Sequence, residues 1–334
     1  MLDRIPKSPP VIKPVSDNGD RPLWSVMIPT YNCSKFLKET LQSVLLQAKE
    51  YTEMQIAVID DYSTDDDVEA IVNDIGKGRI EFFRQNQNVG SLRNFETCIN
   101  RSKGKWIHIL HGDDMVKPGF YSEIEDLFTK HPDVGAAFTS LSDIDEQGNV
   151  LTPFRIVQNN AGIVENWLLK IARNQFIQVC SIVVKRSVYE ELGSFYAVHY
   201  GEDWEMWARI AARFPVAYSP KDLAFYRVHS NNISARYLST GQNIRDIKTV
   251  INIIQNYLPV EKRKELKKVS SRNFANYFAE NAHKIYRTHK NKKVALKQAQ
   301  GALSLHLNKM TVKSLAALYI MILKNYYRRK IKVS

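Results

Sequence analysis

The strongest constraint on this chain is a repeated alternation of short apolar runs with helix-spaced apolar residues between about 24 and 130, in which the loops after the runs carry acids, amides or glycine. Trp24 to Ile28 reads as a buried strand stopped by Pro29, and Phe36 to Gln47 then places Phe36, Leu37, Leu41, Val44 and Leu45 on one helical face. Met54 to Ile59 followed by Asp67 to Ile75, then Arg79 to Arg84 followed by Ser91 to Asn100, repeat the unit. Lys105 to Leu110 is a fourth strand, before a helix near Pro118, a residue suited to a first helical turn. Strand–helix alternation predicts an α/β fold with a doubly wound, largely parallel sheet, whose ligands bind beyond the carboxyl ends of the strands. Further strands are expected at Val134 to Phe138 and Gln178 to Val184, and further helices from Val164, from Ser187 and over Asp203 to Arg213.

Three regions follow from the patterning. Residues 1–22 hold five prolines and no periodicity, and read as a flexible leader without the apolar core of an export signal. Residues 23–235 form the α/β domain. Residues 236–334 form a basic, mostly helical region, with helices at 241–257, 261–289, 292–306 and 311–330. The formal charge of +12 belongs to this tail, since residues 261–334 hold 19 lysines and arginines against 3 acids. Its apolar residues, among them Phe274, Tyr277, Phe278, Ile285, Leu315, Leu318, Tyr319 and Ile322, suit helices that lie on an anionic membrane, pack on the protein or form an oligomer. The longest apolar run there, Leu315 to Leu323, is too short to span a bilayer. Three widely spaced cysteines make neither a zinc motif nor a disulfide framework, which fits a reducing cytoplasm.

The candidate chemistry sits at the predicted strand ends. In Ile28-Pro29-Thr30-Tyr31-Asn32, Tyr31 offers a face for a flat base, although Asn32 or Ser34 equally suits a helix cap. In Asp60-Asp61-Tyr62-Ser63-Thr64-Asp65 either Asp60 or Asp61 can accept from a base N–H or a ribose hydroxyl. Gly90 permits a tight turn, and Arg93 in the following helical turn is placed to meet a phosphate. No G-x-G-x-x-G or P-loop pattern is present, which argues against hydride transfer and P-loop phosphoryl transfer. Leu110-His111-Gly112-Asp113-Asp114 brings two carboxylates and an imidazole into one loop, a donor set for Mn²⁺ or Mg²⁺. Gly201-Glu202-Asp203-Trp204 sets acids beside tryptophan, suiting either a general base in a sugar site or a helix start over a core indole. Arg227 and His229 share a face at a strand end, offering a cation to a leaving diphosphate and a further metal ligand.

Taken in order, Ile-Pro-Thr-Tyr-Asn, Asp-Asp-Tyr-Ser-Thr-Asp, Asn-x-Gly-x-x-x-Arg-Asn, His-Gly-Asp-Asp, Gly-Glu-Asp-Trp-Glu-x-Trp and Arg-x-His-x-x-x-x-Ser resemble the family 2 glycosyltransferases of GT-A fold over about residues 24–235. That resemblance implies an inverting transferase acting on a nucleotide-diphosphate sugar, UDP-sugar above others, with a glycan or lipid-linked acceptor, in surface polysaccharide synthesis. It implies that Pro29, Tyr31 and Asp61 contact the base, that Arg93 lies near the nucleotide, and that Asp113 and Asp114 stand at the metal motif, with His229 as a further ligand. Asp203 matches the acid that deprotonates the acceptor, beside Glu202 and Trp204 and with Arg227 near the donor. The family motif usually opens with Asp where this chain has His111, which leaves open whether Asp113 or Asp114 binds metal directly. Peripheral contact with an anionic membrane is the expected role of the tail, and no nucleic-acid module is recognisable. The rival readings are a sugar-nucleotide binder without catalysis, a nucleic-acid-binding protein and a glycoside hydrolase, which would need two carboxylates and no nucleotide.

Overall fold

A computed structural model describes residues 3–15, 21–152, 156–229 and 233–331, apart from the side chains of 233–235 and 326–331. The chain divides into two compact units, residues 1–167 with 176–229, and residues 168–175 with 230–334.

The first unit is built on one mixed sheet. Its strands are β1 (Trp24–Thr30), β2 (Met54–Asp60), β3 (Glu81–Arg84), β4 (Trp106–Ile109), β5 (Met115–Val116), β6 (Ala136–Ile144), β7 (Val150–Thr152), β8 (Gly162–Ile163), β9 (Ile182–Lys185) and β10 (Val216–Arg227). The helices are α1 (Ser34–Leu45), α2 (Val68–Gly76), α3 (Ser91–Arg101), α4 (Phe120–Lys130), α6 (Arg186–Leu192) and α7 (Glu202–Ala211), while all but the first residue of α5 (Trp167–Ile171) belongs to the second unit. Strand order is β3-β2-β1-β4-β9-β6-β10-β5, with β7 on β6 and β8 on β10. The β3-β2-β1-β4 half is parallel, as its strand–helix alternation requires, and β9 turns the sheet antiparallel on both its sides. Every residue of β1 and β2 is buried, the signature of strands covered on both faces.

β1 does not stop at Pro29 but runs to Thr30. The Pro29 carbonyl accepts from Gly112 N–H on the β4 side, so the missing N–H falls on that side too, where pairing with β4 has ended at Met27–Ile109. Proline is tolerated there because no ladder bond is lost. At the opposite end Ser25 Oγ donates to Gln55 Oε1 (2.6 Å) and accepts from Gly104 N–H (2.7 Å), which pulls Gly104 against β1.

Residues 3–15, read from the sequence as a flexible leader, lie against this unit. Ile12 is buried, and the carbonyls of Pro6, Pro10 and Lys13 accept from Ala197 N–H, Ser194 N–H and the Arg186 guanidinium. A segment anchored through its carbonyls leaves no hydrophobic period to read. Residues 1, 2 and 16–20 of the same leader lie outside the described residues.

The second unit contains α8 (Ile233–Thr240), α9 (Gln242–Ile254), α10 (Val260–His289), α11 (Lys292–Leu305) and α12 (Lys309–Ile331). Ala282, Tyr286, Ala295, Ala299, Leu318 and Ile322 form its core, and Phe274 and Phe278 are buried as well. Several of the apolar residues expected from sequence to be open to a membrane are therefore packing residues of this unit. No described helix is long and apolar enough to cross a bilayer.

A Cβ at Gly104 would stand 2.4 Å from the Trp24 carbonyl carbon and 2.5 Å from Ser25 N, both backbone atoms inside the sheet. Gly104→Ala is expected to destabilise the first unit by on the order of 2–3 kcal/mol, measured by denaturant unfolding, because neither strand can give way.

Candidate active site at the carboxyl ends of the parallel strands

The β4 strand end delivers His111, Asp113 and Asp114 together, with ligand atoms of all three within 4.8 Å of one another. Gly112 is needed between them, because a Cβ there would meet Cys33 Sγ and Thr30 Oγ1 at 2.9 Å. Asp114 is buried. Burial first, and then the charge of Asp113, push its carboxyl pKa well up, opposed by Arg227. Asp114 Oδ1 accepts from Arg227 N–H (2.9 Å), whereas Oδ2 is a buried oxygen with no hydrogen-bond partner, 3.6 Å from His111 Nδ1. His111 Nε2 is also buried and unpartnered. Burial lowers the imidazole pKa, against the pull of Asp113, so His111 is held in the neutral form that ligates metals. Two carboxylates, a neutral imidazole and two orphaned polar atoms fit a divalent cation.

His229 extends the cluster, its Nε2 lying 3.0 Å from Asp113 Oδ2 and its ring 4.8 Å from Phe36. Arg227 is placed differently from the expectation of a cation facing the diphosphate. It is 1% exposed, and its guanidinium donates to the carbonyls of Asp113 (2.9 Å), Asp145 (3.2 Å) and Glu146 (3.4 Å) and to Glu39 Oε2 (2.6 Å). Its donors brace the acid loop from behind. Ser230 to Asn232 and the side chain of Ser234 lie outside the described residues.

At the β2 end the two neighbouring acids separate in role. Asp60 accepts from Ser63 N–H and Oγ and pairs with Arg84 at 3.2 Å. Asp61 accepts from Val89 N–H (2.7 Å), Gly90 N–H (2.9 Å) and Asn88 Nδ2 (2.8 Å), holding the loop that opens α3. Burial pushes its pKa up to about 6, against those hydrogen bonds and the charge of Arg4. Tyr31 is half exposed beside this loop system, where Asn32 N–H donates to Ser63 Oγ and Thr64 N–H to Asn32 Oδ1. The first turn of α1 is capped across the loops, Asp65 accepting from Ser34 N–H and Oγ.

Arg93 is held by Glu96 (2.7 Å) and by the carbonyl of Asp3 (2.9 Å), so its guanidinium is engaged on the leader rather than aimed at the acid cluster. Arg4 hydrogen-bonds Asn88 Oδ1 and fills the space a Cβ on Gly90 would take. Sequence reasoning missed Arg4 because the leader around it shows no pattern. The conjunction of Arg4 with an Asn-x-Gly loop is visible only in three dimensions.

α7 carries Glu202, Asp203 and Glu205 in its first turn, Asp203 Oδ1 accepting from Trp204 N–H at 2.7 Å. The sequence places Trp204 at the sugar face, but its indole is fully buried, and Trp207 is buried too. A row of ring contacts runs from His111, stacked on Phe95 (5.4 Å), through the edge-on pairs Phe95–Phe195 (5.2 Å) and Phe195–Trp207 (6.0 Å), tying α7 to the acid loop. Ser91 Oγ meets His199 Nδ1 at 3.5 Å, so the segment leading into α7 also touches the start of α3.

A half-parallel sheet with acids at the β2 and β4 ends and a further acid-bearing helix is the GT-A arrangement of nucleotide-sugar transferases. A family model described as glycosyl transferase family 2 matches residues 25–193, and the chain belongs to that family. An uncharacterized protein of Mycobacterium tuberculosis is 30% identical over 249 residues, covering 71% of this chain and 77% of the relative. Chondroitin synthase of Escherichia coli is 32% identical over 133 residues, which span 39% of this chain and only 19% of the synthase. Among solved structures, Staphylococcus aureus TarS 1–349 in complex with UDP-GlcNAc superposes with a TM-score of 0.65 at 13% identity, covering 91% of each chain. The mannosyltransferase PcManGT of Pyrobaculum calidifontis, in complex with GDP-Man and Mn²⁺, gives 0.56 at 17% identity over 97% of this chain and 86% of that one. These structural likenesses establish the fold.

Arg227→Ala is expected to cost roughly 2–4 kcal/mol in denaturant unfolding, because it takes the buried guanidinium away from the carbonyls of Asp113, Asp145 and Glu146 while the backbone N–H to Asp114 remains. A cation that served only a solvent-facing diphosphate would leave stability unchanged. A second expectation concerns pH. The folded Asp61 carboxyl holds its proton more tightly than an unfolded one, so the folded state binds more protons between about pH 4 and 6. Charging of this group therefore costs stability as pH rises through that window, and the unfolding free energy of Asp61→Asn is expected to lose that part of the slope.

Proposed function

We propose that this chain is an inverting, metal-assisted transferase that moves a sugar from a nucleotide-diphosphate donor, with UDP-sugar favoured, to a hydroxyl of a glycan or lipid-linked acceptor in surface polysaccharide synthesis. The observation that carries the reading is the pair of orphaned ligand atoms, Asp114 Oδ2 and His111 Nε2, beside Asp113 at the end of β4 in a family 2 chain. His111, Asp113 and Asp114, with His229 beside Asp113, are the residues that would hold Mn²⁺ or Mg²⁺, whose charge would offset that of the donor diphosphate. Both TarS with UDP-GlcNAc and PcManGT with GDP-Man and Mn²⁺ support a nucleotide-sugar donor without deciding which.

In this reading Tyr31 and Pro29 face the base, and Asp61 shapes that pocket by fixing the Asn88-Val89-Gly90 loop. Arg4 of the leader and Arg93 of α3 tie the leader to the same loop, and Glu202 adjoins Asp203 at the start of α7. Asp203 takes the proton of the acceptor hydroxyl as that oxygen bonds to the anomeric carbon, and the bond from that carbon to the diphosphate oxygen breaks on the opposite face. Arg227 acts by positioning the acids rather than by touching the donor. The basic second unit places the enzyme at the cytoplasmic face of an anionic membrane, where a lipid-linked acceptor resides.

The test is donor screening for nucleotide release with acceptor present, joined to calorimetry with UDP and Mn²⁺. Asp203→Asn is expected to lose transfer by roughly 10²–10⁴-fold while nucleotide affinity stays near that of the parent protein. Turnover near the parent level would remove Asp203 from its role. Absence of any nucleotide binding in the parent would remove the transferase reading itself.

A further inference from the structure

α12 carries two apolar faces. One packs inward through Leu318 and Ile322, with Leu315 beside them. The other holds Val312, Tyr319, Ile320 and Leu323, which are 48%, 42%, 54% and 53% exposed, with Ala316 between them. At 3.6 residues per turn these outward residues fall within an arc of about 100°, the width of a complete apolar stripe. A solvated helix face has no need of such a stripe. Lys309, Lys313 and Lys324 lie on the same exposed side of the helix.

Beside the stripe α10 and α12 enclose an open groove of about 820 Å³. His283, Lys284 and Arg287 line it from α10, Lys309, Met310 and Lys313 from α12, with Glu280 as the acid in its wall. Among the described residues, Lys284, Arg287, Lys309, Lys313 and Lys324 form no ion pair, while Glu265, elsewhere on α10, takes up Lys262 and Arg173. A row of unpaired cations along an exposed apolar stripe is complementary to a surface that is anionic at its edge and apolar beneath. A second copy of this chain fits less well, because residues 261–334 carry 19 basic residues against 3 acids and two such faces repel.

We propose that α12 docks in the plane of an anionic lipid bilayer. Val312, Tyr319, Ile320 and Leu323 enter the boundary between headgroups and acyl chains, and Lys313, Lys324, Lys284 and Arg287 hold lipid phosphates. The proposal deepens the peripheral part of the transferase reading, yet its test needs no turnover, so either can fail alone.

The experiment is flotation of the full chain with vesicles of phosphatidylcholine alone and of phosphatidylcholine mixed with phosphatidylglycerol, at low and high salt. The expected result is binding to the mixed vesicles only, weakened by salt. Ile320→Ser with Leu323→Ser, both more than half exposed, is expected to lose at least about tenfold in vesicle partition with an unchanged circular dichroism spectrum. Lys313→Glu with Lys324→Glu is expected to abolish the preference for phosphatidylglycerol. Equal binding to neutral vesicles, or partition unaffected by both double variants, overturns the proposal. So does a dimer in sedimentation that the serine variant dissolves without vesicle binding in the parent, which would assign the stripe to a second copy.

Discussion

The site depends on one buried contact, the end of β10 against the β4 loop through Arg227. Its backbone N–H serves the Asp114 carboxylate, while its guanidinium serves the carbonyl of Asp113, two carbonyls after β6 and Glu39 of α1. Four segments distant in sequence are thereby set around two acids. Taking a guanidinium and a carboxylate out of water is costly unless nearly every donor finds an acceptor, and here the acceptors are mainly main-chain carbonyls that cannot drift. Flexible side-chain acceptors would leave the acids free to move apart. The loop between β4 and β5 is short and glycine-containing because Thr30, Cys33 and Leu37 press on it from the other side.

Two further devices carry that fixed point outward. Asp61 converts the end of β2 into a clamp on the α3 loop, with the leader laid over it through Arg4 and Asp3. The ring contacts of His111, Phe95, Phe195 and Trp207, one stacked and two edge-on, reach from the acid loop to α7. The leader meets the same region from outside, bonding Ser194 and Ala197 in the segment that precedes α7. The loop that opens α3, the acid cluster and the helix that bears Asp203 thus share supports.

The parallel half of the sheet was legible because its strands are uninterrupted apolar runs and its helices keep a 3.6-residue period. The acids at 60, 61, 113 and 114 were legible as strand-end residues for the same reason. Which of them stay available was not, since Asp60 is consumed by Ser63 and Arg84 only after folding. Arg227 read as a cation facing the diphosphate because strand alternation gives a side chain's face and says nothing of partners more than 80 positions away. Trp204 read as a sugar platform because acid next to tryptophan suits a helix start and a binding site alike, and burial decides between them. In α12 the helical period was plain, but Leu318 and Tyr319 belong to different faces, one buried and one exposed, that a count of apolar residues merges.

His111 shows why the departure from the usual acid matters physically. An aspartate in its place would add a third negative charge to a pocket where burial and Asp113 already push the Asp114 carboxyl toward its neutral form. A neutral imidazole adds a ligand atom without that repulsion, and its ring gains stacking on Phe95. The substitution lowers the charge of the cluster while retaining three donors within reach of one another. Asp114 Oδ2 is a buried oxygen without a hydrogen-bond partner, 3.6 Å from His111 Nδ1, and such a deficit is costly to bury unless another group offsets it.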